Sequence, residues 1–124
     1  MTGFLPDFFR DKQDKKDKNI YMEVFLKSPV GMCVITHPGF LIKIVNEAFA
    51  DLFGLGKDEI TGKLFAEIWT KCRERDEFMV SLRTAGTVFE APYTIETKTG
   101  RIFSVRLSGA KIDDDNFLIC ALPA

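Results

Sequence analysis

The chain has 124 residues, 46% of them hydrophobic with twelve Phe among them, and a formal net charge of −1. That is enough for one domain with an aromatic core but not for a second catalytic unit, and a near-neutral balance gives no general attraction to nucleic acid or an anionic membrane. No apolar run nears the ~18 residues of a spanning helix, the N-terminus lacks the charged-then-apolar order of a secretory leader, and Cys33, Cys72 and Cys120 are too few and too scattered for a disulfide framework or a zinc site.

Residues 1–18 read as an extension and 19–124 as the domain. Phe4, Leu5, Phe8 and Phe9 mark one face of a short helix starting near Pro6. RDKQDKKDK (10–18) follows as a solvated, mixed-charge stretch. Asn19 to Lys27 is a second helix, with Ile20 and Val24 on one face, ended by Ser28-Pro29. Met32 to Thr36 is apolar enough for a strand covered on both faces. His37-Pro38-Gly39-Phe40 then turns, with Pro38 and Gly39 suited to the centre of a type II turn. In the next strand, Leu41 to Val45, the expectation is Ile42 and Ile44 on one face and Lys43 on the other. Asn46 is placed to cap a helix carrying Ala48, Phe49, Leu52 and Phe53, and Gly54 to end it.

Lys57 to Gly62 forms a short helical turn, and Leu64, Phe65, Ile68 and Trp69 continue at helical spacing. Arg73 to Ala85 is a longer amphipathic helix with Phe78, Leu82 and Ala85 inward and Gly86 as its stop. Strands follow over Val88 to Thr97 and Arg101 to Ile112, joined by Lys98-Thr99-Gly100. In the first, Phe89, Ala91, Tyr93 and Ile95 share a face, and Pro92, which cannot donate to a ladder, assigns the strand to an edge or a bulge. Phe103, Val105 and Leu107 share a face in the second, and the unbroken run Phe117 to Leu122 is a central strand. The result is an α+β domain: five antiparallel strands with helices on one face and an N-terminal helical extension.

Over roughly Ile20 to Leu122 these residues resemble a PAS domain. The likeness rests on the hairpin ending in Val45-Asn46-Glu47-Ala48-Phe49, then Leu52-Phe53-Gly54, Glu59-Ile60-Thr61-Gly62, and Lys98-Thr99-Gly100 before the closing strands. The resemblance implies sheet order 2-1-5-4-3, which agrees with the doubly apolar strands being central and the Lys43 and Pro92 strands lying at the edges. It also implies a cytoplasmic signal-sensing or dimerisation module, the input part of a protein such as a histidine kinase, cyclase or transcriptional regulator. An effector such as a kinase would then lie on the same or another chain. The family's usual Asp-Ile-Thr step into a linker helix is replaced by Leu122-Pro123-Ala124, so either the chain is a fragment or signalling leaves through the N-terminal helices.

As a sensor, the domain would hold a small ligand among Cys33, Ile35, Ile42, Ile44, Phe49, Phe53, Ile60, Phe65, Trp69, Phe78, Tyr93, Phe103 and Val105, with Asn46 or Tyr93 as the polar contact. As an interaction module, it would have a core filled by its phenylalanines and form a homodimer through the N-terminal helix and outer sheet face. Covalent flavin is unsupported, because Lys63-Leu64-Phe65-Ala66 lacks the thiol that flavin photosensors of the family place there; His-ligated haem is unsupported because the long helix has no histidine. Noncovalent flavin or a small organic ligand stays open, with Trp69 available for stacking. His37 reads as a solvated turn residue, and Cys72, between Lys71 and Arg73, as the most exposed thiol. The resemblance also implies a Glu59–Lys98 salt bridge. Asp113 to Asp115 lacks the glycine and distal Glu of a calcium loop, so no metal is assigned. An enzyme ranks last, since no nucleophile–base pair or oxyanion motif is present.

Overall fold

The computed structural model describes residues 20–70 and 72–124, the side chain of Cys72 excepted. The Phe4–Phe9 cluster and the charged run after it lie outside these residues. After helix α1 (residues 20–27) come β1 (Gly31–Thr36) and β2 (Ile42–Val45). Next are α2 (Glu47–Phe53), the one-turn helices α3 (Lys57–Ile60) and α4 (Phe65–Ile68), and the long α5 (Cys72–Ala85). β3 (Thr87–Glu96), β4 (Ile102–Asp113) and β5 (Asn116–Pro123) complete one five-stranded sheet of order β2-β1-β5-β4-β3. Every pairing is antiparallel. The doubly apolar strands β1 and β5 are central and the Pro92 strand is an edge, as their residue patterns require. None of the described helices is long and apolar enough to cross a membrane.

The side chains of Cys33, Ile35, Ile42, Val45, Val105, Leu107, Phe117 and Ile119 form the inner sheet face, buried beneath Phe49, Phe53, Ile60, Phe65, Phe78 and Leu82 of the helices. Apolar burial on this scale, worth ~25 cal/mol per Å² removed from water, dominates the stability of the domain. Two glycines let the layers approach. A Cβ on Gly31 would stand 3.0 Å from the Phe49 Cα, and one on Gly109 would stand 2.8 Å from Leu82 Cδ1.

Local geometry departs from expectation where a strand carries an extra residue. Between Val34 and Ile35 the β1–β2 register slips, pairing Val34 with Ile44 and Ile35 with Ile42. Lys43 is the surplus residue, so Ile42 and Val45 point inward and Ile44 points outward, 40% exposed. A second bulge, between Val88 and Ala91, turns Phe89 out of the sheet to 83% exposure. Glu90 takes a left-handed φ of 47° there, and its N–H donates to Ser108 Oγ at 2.9 Å. The first hairpin is not a type II turn. The His37–Pro38 peptide is cis, and the positive φ falls on Phe40 (54°) rather than Gly39. Phe40 is drawn into the core edge-on to Phe117, with ring centroids 5.9 Å apart, which offsets the cost of its backbone. His37 is not a solvated side chain either, since its ring lies edge-on to Phe117 at 5.2 Å. Ala85, expected inward, is exposed at the end of α5.

Both edges of the sheet are partly occupied. On β2, Ile42 N–H donates to Lys63 O and Ile42 O accepts from Gly62 N–H. On β3, Pro92 has no N–H to offer, and Thr94 N–H donates to Glu74 Oε2 at 2.8 Å. These contacts occupy part of each edge, and among the described residues the outer face of the sheet is left uncovered.

Candidate functional site

The space between sheet and helices is where a ligand would sit, and aromatic rings occupy it. Phe49 and Phe53 stack at 4.6 Å, and Phe53 meets Phe103 edge-on at 5.2 Å. Trp69 packs edge-on against Phe65 and Tyr93 at 5.9 and 5.4 Å, and Phe78 meets Tyr93 at 5.7 Å. Of the residues assigned to a pocket from sequence, Cys33, Ile35, Ile42, Phe49, Phe53, Ile60, Phe65, Trp69, Phe78 and Val105 come together here, fully buried. Tyr93 and Phe103 stand half-buried at the margin. Ile44 does not join them, because the β2 bulge turns it to the opposite face.

Asn46 is at the interior but is committed elsewhere. Its Oδ1 accepts from Phe49 N–H at 3.0 Å, capping α2, and from Met32 N–H at 2.9 Å. Its Nδ2 donates to Phe25 O and Val30 O at 2.8 and 3.0 Å. An amide has two donors and two lone pairs, so nothing of Asn46 is left for a ligand. The expected polar contact is therefore a structural clamp joining α1, β1 and α2. Trp69 is the opposite case: its Nε1–H is buried with no acceptor among the described residues. Burial also pushes the Cys33 thiol up, with Cys120 adding a smaller part, and burial with Glu77 and Glu74 pushes up the Tyr93 hydroxyl. Both groups stay protonated and neutral.

The Glu59–Lys98 salt bridge is not formed. Glu59 Oε1 instead accepts from Gly56 N–H at 2.9 Å, closing a capping box on α3, as Glu67 does on α4 through Leu64 N–H at 2.7 Å. A short helix with unpaired N–H groups holds a nearby carboxylate better than an exposed ammonium does. Glu59 and Lys98 still border one depression of about 210 Å³, floored by Leu55 and Ile68 beside the Thr97–Thr99 turn. The Arg75 guanidinium closes the helix side of the interior, donating to Ala66 O and Trp69 O at 3.4 and 3.1 Å. Among the described residues no group of His, Cys, Asp and Glu is arranged to hold a metal.

The outer sheet face has a different character. One ladder row, Ile44–Val34–Leu118–Ala110–Thr87, crosses all five strands and is apolar up to its last member. A second row runs Met32–Cys120–Ser108. Between β3, β4 and β5 this face holds an apolar groove of about 230 Å³ beside Phe89, with Ala110, Leu118 and Cys120 in its lining. Ile20, Tyr21, Met22 and Val24 of α1 are likewise exposed. Sequence reasoning named this face without its residues. The available sign was that β1 and β5 are apolar at positions of both parities, while the helices cover only one side.

The chain matches the family model described as "PAS domain" over residues 29–122. No curated protein sequence matches it. Its fold is similar to that of the PAS domain of an HTR-like protein from Haloarcula marismortui, at TM-score 0.64 and 20% identity, covering 93% of this chain and 98% of that one. A domain of a sensory box sensor histidine kinase/response regulator from Geobacter sulfurreducens gives TM-score 0.70 at 19% identity, covering 85% and 92%. The PAS domain of a protein from Colwellia psychrerythraea gives TM-score 0.74 at 14% identity, covering 87% and 97%. The sheet order, the capped helix after the first hairpin and the family match lead to one conclusion: the chain belongs to the PAS-domain family.

Proposed function

We propose that this PAS domain is an interaction module with a filled interior, serving as the input part of a signalling protein such as a histidine kinase. Contact with another protein chain carries the signal, through the outer sheet face and the exposed side of α1. The observation that supports this most directly is the apolar row from Ile44 to Ala110 on the sheet face that the described residues leave uncovered. β1 and β5 have the composition of strands shielded on both sides, yet the described chain shields one. A homodimer supplies the second cover, with the effector on the same or another chain. The ring-to-ring packing of the interior and the fully used Asn46 amide support a filled core. Native mass spectrometry with an absorption spectrum tests the reading. The expected result is a dimer of unmodified mass without colour, and a monomer retaining added mass or a chromophore overturns it.

One observation favours a ligand-binding sensor instead. The buried Trp69 Nε1–H has no acceptor among the described residues, and such an orphan costs ~1–3 kcal/mol. A small organic molecule or noncovalent flavin bringing an acceptor atom would satisfy it, provided the rings of Phe65, Phe78 and Tyr93 part. Purification with a bound molecule that shifts Trp69 fluorescence on removal would support that alternative.

A further inference from the structure

We propose that the depression between α3, α4 and the β3–β4 turn is a binding site for a small zwitterion, an α-amino acid with an aliphatic side chain. The site lies outside the aromatic interior and does not depend on how the outer sheet face is used. On its helical wall stand Glu59, Lys63 and Glu67, and on the hairpin wall Lys98 stands between Thr97 and Thr99. Charges of both signs thus line one small space without pairing. Among the described residues, neither the Lys63 nor the Lys98 ammonium has an ion pair or a hydrogen bond. The carboxylates are held back from them, because Glu59 Oε1 accepts from Gly56 N–H at 2.9 Å and Glu67 Oε2 from Leu64 N–H at 2.7 Å. Each carboxylate keeps a second oxygen that can accept from a ligand. The threonine hydroxyls are short of a partner as well. Thr97, only 3% exposed, has its Oγ1 3.0 Å from Thr99 Oγ1, and the two share one hydrogen bond. Two hydroxyls carry two donors and one bond uses one of them, so an acceptor is missing beside Lys98.

These features select the charge pattern of the ligand. A simple anion is attracted by Lys63 and Lys98 but repelled by Glu59 and Glu67, and a simple cation meets the reverse. A zwitterion satisfies both sets. Its carboxylate belongs on the hairpin wall, where Lys98 and the threonine hydroxyls donate and no acid lines the depression. Its ammonium belongs with Glu59 and Glu67, and its side chain on the floor made by Leu55 and Ile68. Size agrees: a cavity of about 150 Å³ takes benzene, so one of about 210 Å³ has room for an amino acid such as valine or leucine. The four charged side chains are exposed, and such contacts are individually weak in water, so a dissociation constant of ~0.1–1 mM is expected.

Titration of the isotope-labelled full chain with L-leucine, followed by the amide signals in NMR, tests this. Saturable shifts are expected at Leu55, Ile68 and the Thr97–Thr99 turn. Leucinamide, which lacks the carboxylate, and isocaproate, which lacks the ammonium, should each bind about fivefold more weakly or worse. Lys98→Glu sets repulsion against the carboxylate and should weaken leucine about tenfold, whereas Glu67→Gln keeps the cap of α4, removes one charge and should cost about threefold. The Lys98 ammonium has no partner to lose among the described residues, so its variant should keep the wild-type urea midpoint; Lys98→Met replaces it if charge reversal lowers that midpoint. Absence of shifts at ~10 mM leucine, equal binding of leucinamide or inorganic phosphate, or an affinity that Lys98→Glu leaves unchanged overturns the inference. Shifts confined to the surroundings of Trp69 overturn it too, and place the ligand in the interior instead. Any of these failures leaves the outer-face docking reading standing.

Discussion

Replacing Asn46 by Ala is expected to cost more than any surface substitution, because four hydrogen bonds converge on one fully buried amide. Each such bond is worth ~1 kcal/mol net, and the helix cap among them falls in the same range. The sum is about 4 kcal/mol, a large share of the ~5–15 kcal/mol that holds a domain of this kind together. For a chain of this length that corresponds to about 15 °C in Tm. Urea unfolding followed by the emission of Trp69, the single and fully buried tryptophan, measures it directly. Asn46→Asp separates the two halves of the clamp. The introduced carboxylate keeps both acceptor bonds but faces the carbonyls of Phe25 and Val30 with no donor. Burial and those carbonyls raise its folded-state pKa above the unfolded ~3.9, so the deficit is full at neutral pH and shrinks as pH falls through the folded-state value. A loss below ~1 kcal/mol for Asn46→Ala, or a deficit for Asn46→Asp that grows toward acid, refutes the reasoning.

Gly31→Ala should destabilise by ~1–3 kcal/mol and more than Gly109→Ala, since its Cβ meets the backbone of Phe49 and Ala121 whereas that of Gly109 meets the movable end of Leu82; denaturant midpoints rank the two. Trp69→Phe removes an unpaired donor along with some volume, so its cost should stay under ~2 kcal/mol; a loss of ~3–5 kcal/mol would mean that the indole N–H has a partner in solution. The Asp113 carboxyl is held below its ordinary range by the Asp115 N–H and then by the Asn116 amide, so its contribution is present above the unfolded carboxylate pKa and lost as pH falls through the lowered value. Asp113→Asn should therefore lower the urea midpoint at neutral pH and leave it unchanged in strong acid, and a difference that persists in acid would contradict this assignment.

Strand order and the helix layer were legible because they depend on averaged properties: two doubly apolar strands, one proline-bearing strand, and a run of helical spacing between hairpins. What failed was always a matter of one residue. Alternation cannot show that Lys43 is surplus, or that Phe89 and Glu90 together oppose the single residue Ser108, because a bulge is set by pairing with a strand distant in sequence. Alternation thus points Ile44 inward and sets Phe89 beside Tyr93, where the bulges turn both outward. Glu59 was claimed by the closest donor, an N–H three residues back, which local capping rules favour over a lysine on another hairpin. Asn46 is legible as a cap, but its other three bonds reach Phe25, Val30 and Met32, contacts that only the folded chain brings together.

The surplus lysine in β2 has a wider meaning for how such a domain diversifies. Because side chains alternate strictly along a strand, one inserted or deleted residue reassigns everything beyond it to the opposite side. At Lys43 the reassignment ends within two residues, at Val45 and the clamp formed by Asn46. Mutation there can add or remove an isoleucine from the solvent side without altering the volume packed beneath the helices. The buried layer and the face offered to other molecules are therefore free to evolve separately.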